Sequence, residues 1–321
     1  LLRYIARRLI ILIPELFIIT LIVFLIMQAA PGDFLDQYRL DPSVSKDFIH
    51  TLEKQYGLDQ PVMVQYFKWI KGVLTGDLGY SFYYRRPVVE LIGERVLATL
   101  ILSLYSFVIS WIVGVILGVV SALKKYSFWD KFLTVIAFTG IAIPGFFLAL
   151  LLLYFAAKTG TFPVAGMYDV NHSKMTVWQG FKDIFWHMQL PAFTLTFGGF
   201  AGLMRYMRGS LLDVLNEDYV EFARAKGMPE RVVIFKHAMR NAINPLITMF
   251  GFSLSSLLGG AVITETIFSW PGLGRLVYQA LVQQDIYVVM ASTIISVIML
   301  IAGNLVGDIL LAAVDPRIRL E

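Results

Sequence analysis

The chain has 321 residues, 57% of them hydrophobic and only 16% charged, with a mean hydropathy of +0.69. Soluble domains carry about 25% charged residues, so this composition belongs to a chain solvated largely by lipid. The net charge of +4 is what Lys and Arg in short inner loops give a membrane protein, and it is no argument for nucleic acid. The lack of cysteine excludes disulfides, thiolate metal sites and Cys nucleophiles.

A membrane helix needs about 20 mostly apolar residues. Six stretches qualify: 9–30, 96–123, 132–157, 184–204, 241–264 and 286–314. Four of the six contain no Asp, Glu, Lys or Arg, so the expected fold is an all-α polytopic membrane protein with six transmembrane helices. The first stretch follows Arg3, Arg7 and Arg8. Its apolar run exceeds the usual 7–15 residues or so of a signal core and contains Pro14 and Glu15, so it is read as a span that stays in place.

Residues 31–95 form the outer segment and carry helical signals of their own. Ser45 is placed to cap a helix that Gly57 stops, with Phe48, Ile49, Leu52 and Tyr56 on one face. A second helix starts at Pro61, with Val62, Tyr66, Phe67 and Ile70 as its apolar stripe. The segment reads as a small helical cap on the membrane bundle or as a docking surface for an external partner. After the second span, "KKYSFWDK" supplies Lys124, Lys125 and Lys131, and the segment between spans four and five carries seven Lys or Arg from Arg205 to Arg240. Arg317 and Arg319 follow the last span. The 158–183 and 265–285 loops are poorer in positive charge, so both termini are expected in the cytoplasm.

Within 96–123, Gly114 and Gly118 form a GxxxG; Gly251, Ser255 and Gly259 make a second small-residue stripe, and both patterns favour close helix contact. In the second stripe Ser253, Ser255 or Ser256 is the alternative pore-lining candidate. Glu15 and Asp308 stand near the inner ends of their spans, where snorkelling or pairing with terminal arginines accounts for them. In "SWPGLG" the reading is a turn folded toward the outer mouth, with Trp270 at the interface and Trp270, Pro271 and Gly272 as gate candidates.

The stretch 221–241 carries seven charged residues. A charge at the bilayer centre costs about 2.5–3.5 kcal/mol, and seven would cost on the order of 20 kcal/mol, so the stretch lies in water or against protein. Asn216 is placed to cap a helix through "EDYVEFARAK", with Glu217, Asp218 and Glu221 favoured in its first turn by the helix dipole. Gly227 ends that helix, and Pro229 opens the next. Phe222, Ala223, Val232, Val233 and Phe235 give the elbow an oily surface, the mark of a contact.

At these residues the chain resembles the membrane subunits of ATP-binding-cassette importers. Their cytoplasmic signature reads Glu-Ala-Ala, three residues, Gly, nine residues, Ile-x-Leu-Pro. Glu221, Phe222 and Ala223 take its first positions and Gly227 the glycine; His237, Met239 and Arg240 depart from its end. "DYVEFARAKG" with "HAMRNAINP" resembles the oligopeptide and dipeptide (nickel) branch, in which the proline comes later, here as Pro245. "APGD" at 30–33, "YGLDQPVMVQYFKWI" at 56–70, "GDLGYS" at 76–81, "ETIFSWPGLG" at 265–274 and "DPRIR" at 315–319 resemble the permease of that branch with a long outer segment.

The resemblance implies a type I importer permease in a bacterial or archaeal cell membrane. Its parts would be an N-terminus and first helix (1–30), an outer helical segment (31–95), a core (96–314) with a coupling loop at 209–240, and a cytoplasmic tail (315–321). The implied partners are a second permease subunit in a heterodimer, two cytoplasmic ATP-binding subunits, an external binding protein and the bilayer. The coupling loop, with Glu221, Phe222, Ala223, Ala225, Gly227, Met228, Val232 and Phe235, would dock on the ATPase, and Glu221 would cap or pair locally. The implied cargo is oligopeptides or dipeptides; the same branch also carries oligosaccharides and nickel chelates. ATP and Mg would be used by the partner subunits and no cofactor bound here, since the chain has no phosphate-binding G-x-x-x-x-G-K-[ST] loop. Nor is it expected to be an enzyme: His50, His172, His187 and His237 are scattered, with no acid or nucleophile spaced to match them. A secondary carrier or channel is the rival class, disfavoured because no internal repeat and no mid-membrane carboxylate are evident.

Overall fold

A computed structural model describes residues 2–40, 43–256 and 261–314. Among these the chain is helical, and the β pairing consists of one isolated antiparallel bridge between Tyr80 and Pro87. In chain order, α1 (Leu2–Ala29) leads to three shorter helices, α2 (Asp36–Arg39), α3 (Lys46–Tyr56) and α4 (Val62–Leu74), and then to the long α5 (Val88–Leu123). Next come α6 (Phe128–Ala142), α7 (Gly145–Thr159) and the 39-residue α8 (Val177–Leu215). The elbow holds α9 (Asp218–Ala225), α10 (Glu230–Val232), a π-helical turn (Val233–Ala238) and α11 (Met239–Ala242). Then follow α12 (Asn244–Ser256), α13 (Val262–Ile267), α14 (Leu273–Val282) and α15 (Ile286–Val314).

Among the described residues three helical segments are long and apolar enough to cross a membrane: Ile10–Ala29, Val88–Leu123 and Ile286–Ile309; a fourth counts if the α6–α7 pair is one span. The single span expected at 132–157 is instead a pair bent by 102°. Pro144 is the cause: it has no N–H to donate and disfavours helical backbone at Ile143, which is extended. The span expected at 184–204 lies inside α8, whose His187, Gln189, Pro191, threonines and glycines dilute its apolarity. The helix also runs on past Met204, so Arg205 and Arg208 are helical rather than in a loop. Part of the fifth expected span, 257–260, lies outside the described residues, as do the tail motif at 315–319 and Gly259.

The chain divides into two compact units. One comprises 1–98 and 271–299. In it Ser45 caps α3 by accepting from the Phe48 N–H, and Gly57 ends that helix in the left-handed region at φ 67°, as the sequence predicts. Helix α4 differs from its predicted stripe: Gln65, Tyr66 and Trp69 are buried, while Val62 and Phe67 are exposed. Tyr66 belongs to the core with Phe24, Leu35 and Leu91, and its hydroxyl donates to the Phe17 carbonyl at 3.0 Å, tying α4 to α1. The outer segment is stitched to α14 and the start of α15. The Ser81 hydroxyl donates to the buried Asp285 carboxylate at 2.5 Å, Tyr83 N–H donates to it at 3.1 Å, and Tyr84 donates to Gln279 at 2.7 Å.

The other unit comprises 99–270 and 300–320, and α8 is its spine. A capping box, Thr176 with Gln179, starts this helix. Helix α5 lies against it at Gly114 and Gly118, the GxxxG contact the sequence predicts. A Cβ on Gly118 would stand 2.6 Å from Met207 Cβ and 2.7 Å from the Met204 carbonyl oxygen. Helix α6 packs on the same spine through Leu133 and Ala137, against Phe200, Ala201 and Met204.

Candidate functional site

The elbow, 216–242, is built as two short helical pieces hinged at a glycine. Asn216, expected to cap its first helix, is the C-cap of α8, and Glu217 takes the N-cap place of α9 without a side-chain hydrogen bond. Gly227 adopts φ +75°, its N–H donating to the Arg224 carbonyl at 2.9 Å, so the turn needs the left-handed conformation that glycine reaches without strain. A Cβ there would meet nothing within 4 Å, so the requirement is conformational and not one of space. Arg224 and Glu230 close the turn with an ion pair at 2.9 Å, and that hydrogen bond holds the Glu230 carboxyl below its ordinary range. Glu221, expected to pair locally, is exposed and makes no side-chain hydrogen bond among the described residues; Arg224 and Glu230 do that work instead.

The oily surface predicted for the elbow splits in two. Ala223 and Val233 turn inward with Val220, Ala238 and Ala242 and pack on Met207 and Leu211 of α8 and on Val119 and Ala122 of α5. Two further bonds fix this inner face: Ser210 donates to the Ala242 carbonyl and Asn241 to the Tyr219 hydroxyl, each at 2.7 Å. Phe222 and Phe235 stay outside, each 61% exposed, with Ala225 also exposed and Met228 and Val232 half-buried. A rigid inner face with two uncovered phenylalanines is a shape for receiving a partner.

The second feature is a cavity of ≈ 330 Å³ between α5, α8 and α12. On α5, Ser103, Ser106 and Ser110 face it, beside Phe107 and Trp111, whose rings pack edge-on against Phe250. Gly199, Gly202 and Tyr206 of α8 form another wall, and Met249 and Ser253 of α12 a third. Ser106 donates to the Leu102 carbonyl at 2.7 Å, whereas the buried Ser103 hydroxyl has no partner among the described residues. Of the predicted pore candidates, Ser253 is therefore at a cavity wall, and the side chains of Ser255 and Ser256 lie outside the described residues. Trp270 is wholly buried, which corrects its placement at a lipid interface; Pro271 is half-buried, and Gly272 is the extended N-cap of α14. The three α5 serines were missed, although their i, i+3, i+7 spacing in an apolar run was the available signal.

Two further expectations need correction. Glu265 is not a loop residue: it sits in α13, wholly buried, and Thr99 of α5 donates to its carboxylate at 2.6 Å. Nor are all the histidines isolated from acids: Asp183 holds His172 at 2.7 Å and His187 at 3.1 Å, and His50 meets Glu53 at 2.9 Å. The His172 contact ties the start of α8 to the segment before it, and among the described residues none of these contacts brings in a Ser or Thr nucleophile. Among the described residues no group of three or more His, Asp or Glu side chains is arranged to hold a metal ion.

Comparison with known proteins identifies the family. Residues 114–320 match the family model described as a binding-protein-dependent transport system inner membrane component, and residues 1–103 match the model of the N-terminal part of such membrane components. The chain is 44% identical over 317 residues to the oligopeptide transport system permease protein AppB of Bacillus subtilis, covering 98% of each. It is 38% identical over 321 residues to the glutathione transport system permease protein GsiC of Escherichia coli, covering 99% of each. Among solved structures it resembles a chain of the inward-facing MetNI methionine ABC transporter, with a TM-score of 0.56 at 19% identity, covering 71% of this chain and 97% of that one. At that identity the likeness speaks for a shared fold.

Proposed function

The chain belongs to the family of binding-protein-dependent transport system inner membrane components, and from that membership we propose that it forms half of an import path for oligopeptides or dipeptides, driven through its elbow. It is a permease subunit of an ATP-binding-cassette importer, a multi-pass membrane protein that transports rather than catalyses, with ATP hydrolysed by separate subunits. In the proposed assembly it pairs with a second permease subunit, two ATP-binding subunits close on ATP beneath the pair, and an external binding protein delivers cargo. Both termini and the elbow face the cytoplasm, an orientation supported by the excess of Lys and Arg in those segments. The peptide cargo is supported by the near full-length likeness to an oligopeptide and a glutathione permease.

The observation that carries the proposal is the elbow itself. Its inner face is fastened to α5 and α8, so a push on the outer face moves the spine of the unit rather than bending a loop. Phe222 and Phe235 are the uncovered groups through which an ATP-binding subunit grips it, and the cavity beside Ser253 is part of the path that this motion opens and closes. The chain contains no cysteine, which makes the test direct. In the assembled complex, Phe222→Cys treated with a short thiol-to-amine crosslinker is expected to join this chain to an ATP-binding subunit, while the buried Val220→Cys does not react. A Phe222→Cys variant that crosslinks to no ATP-binding subunit contradicts the proposal.

A further inference from the structure

Below the serine-lined cavity lies a second one of ≈ 560 Å³, bordered by Arg205, Gly209, Ser210 and Asp213 of α8 and by Pro245. Gly202 and Tyr206 border both cavities, so Tyr206 stands at the joint between them. On α8 the residues facing this space recur every three or four positions: Gly199, Gly202, Tyr206, Gly209, Asp213. The glycines one turn to either side of Tyr206 have no structural reason to be glycine. Neither has a positive φ, and a Cβ on Gly202 or Gly209 would meet nothing within 4 Å, whereas one on Gly114 or Gly118 would collide. What they leave is room. The Tyr206 side chain borders that room with the residue 58% exposed, and among the described residues it makes no hydrogen bond and no ring contact.

A second, independent observation points to an occupant. Ser103 is only 4% exposed, and its hydroxyl, in the wall of the upper cavity, has no partner among the described residues. Leaving a buried polar group unsatisfied is destabilising, a cost relieved by anything that enters the cavity with a matching donor or acceptor. A hydroxyl both donates and accepts, and among the described residues no charged side chain borders this cavity. Such a lining suits the alternating N–H and C=O groups of a peptide backbone and is indifferent to side-chain charge. We propose that Tyr206 is the constriction between two chambers of the cargo path, its ring swinging over Gly202 and Gly209, and that the upper chamber takes peptide backbone amides through Ser103, Ser106 and Ser110. This rests on the permease reading above and adds to it the residue that divides the path and the group that is read there.

The cysteine-free chain permits an accessibility test in the full complex, in vesicles whose outer face is the one on which Asp213 opens. The probe is 2-aminoethyl methanethiosulfonate, and the quantity read is the rate of modification at position 103 in Ser103→Cys, measured on this chain by mass. If the ring closes the joint most of the time, the open form is a minor state, and Tyr206→Ala should raise that rate about tenfold or more. Should Tyr206→Ala fail to assemble, Tyr206→Trp, with a larger ring, should lower the rate. An unchanged rate in whichever variant assembles overturns the constriction. Trialanine at millimolar concentration should protect position 103 in the Tyr206→Ala background and maltotriose should not; protection by maltotriose, or by neither, overturns the amide assignment. ATP-dependent uptake by the unsubstituted complex in the same vesicles tests the permease reading separately, since it does not depend on either substitution.

Discussion

At the scale of single residues, the most consequential contact outside the elbow is one between charges 78 positions apart in the chain. Asp130, 3% exposed at the start of α6, receives two hydrogen bonds from Arg208 of α8, Nε at 2.8 Å and Nη2 at 2.9 Å. Ser121 donates to the same carboxylate, as does the Tyr126 N–H at 2.8 Å, so both oxygens are satisfied. A two-pronged pair of this kind is stronger and more directional than a surface salt bridge. Removing one member strands the other, so Asp130→Ala should destabilise the unit by on the order of 3 kcal/mol, read as a lower thermal midpoint in detergent. The exchanged pair Asp130→Arg with Arg208→Asp should recover part of the loss, and an Asp130→Ala midpoint equal to the parent's would contradict the assignment. The sequence counts Arg208 among the positive charges of its segment and gives no hint of this partner. Gly227 was legible because the requirement is local: a helix former, a glycine and a proline in a row. The partner of Arg208 was not, because spacing along the chain carries no information about which distant helix lies alongside.

At the scale of elements, α8 is where the two candidate sites meet. It gives Gly199, Gly202 and Tyr206 to the cavity and Met207 and Leu211 to the seat of the elbow, so a displacement of the elbow is felt at the cavity wall. The contact with α5 across Gly114 and Gly118 holds the helix in place. Gly118→Leu would drive a side chain into the Met204 backbone, and overpacking of this kind costs about 1–3 kcal/mol. Gly202→Ala, with nothing within 4 Å of the new Cβ, should leave stability almost unchanged. Thermal unfolding of the two variants should separate them; equal midpoints would mean that α5 and α8 do not pack at that distance. Helix ends marked by caps, such as Ser45 and Gly57, were readable, as was the GxxxG contact. The bend between α6 and α7 was not anticipated, because an apolar run shows how much lipid or protein it can face and not its direction, although Pro144 stood at the bend. The same blindness let α8 be cut short at Met204, where charge begins but the helix does not end.

At the scale of the whole molecule, a subunit without machinery for ATP depends on separate subunits that have it, and the elbow is the means proposed here. The pattern that suggests this role, Glu221, Ala223, Gly227 and the "HAMRNAINP" run, is local in the chain and so legible in the sequence. The cavity could not be read in the same way: the Ser103 and Tyr206 walls come from different helices and are joined only by folding. Which predicted elbow residues face outward was likewise hidden, because Ala223 and Val233 have the same apolar character as Phe222 and Phe235 yet pack inward.

The central claim is that the hinge at Gly227 couples ATP hydrolysis to movement of cargo. A side chain at φ +75° costs about 1–2 kcal/mol, and a β-branched one more, with no collision to compound it. Gly227→Val should therefore leave insertion and assembly intact while altering the shape of the turn proposed as the grip of the ATP-binding subunits. The deciding measurement is the ratio of cargo taken up to ATP hydrolysed by the complete complex in proteoliposomes, with its binding protein present. The account predicts that Gly227→Val continues to hydrolyse ATP and loses uptake; a ratio equal to that of the unsubstituted complex would contradict it.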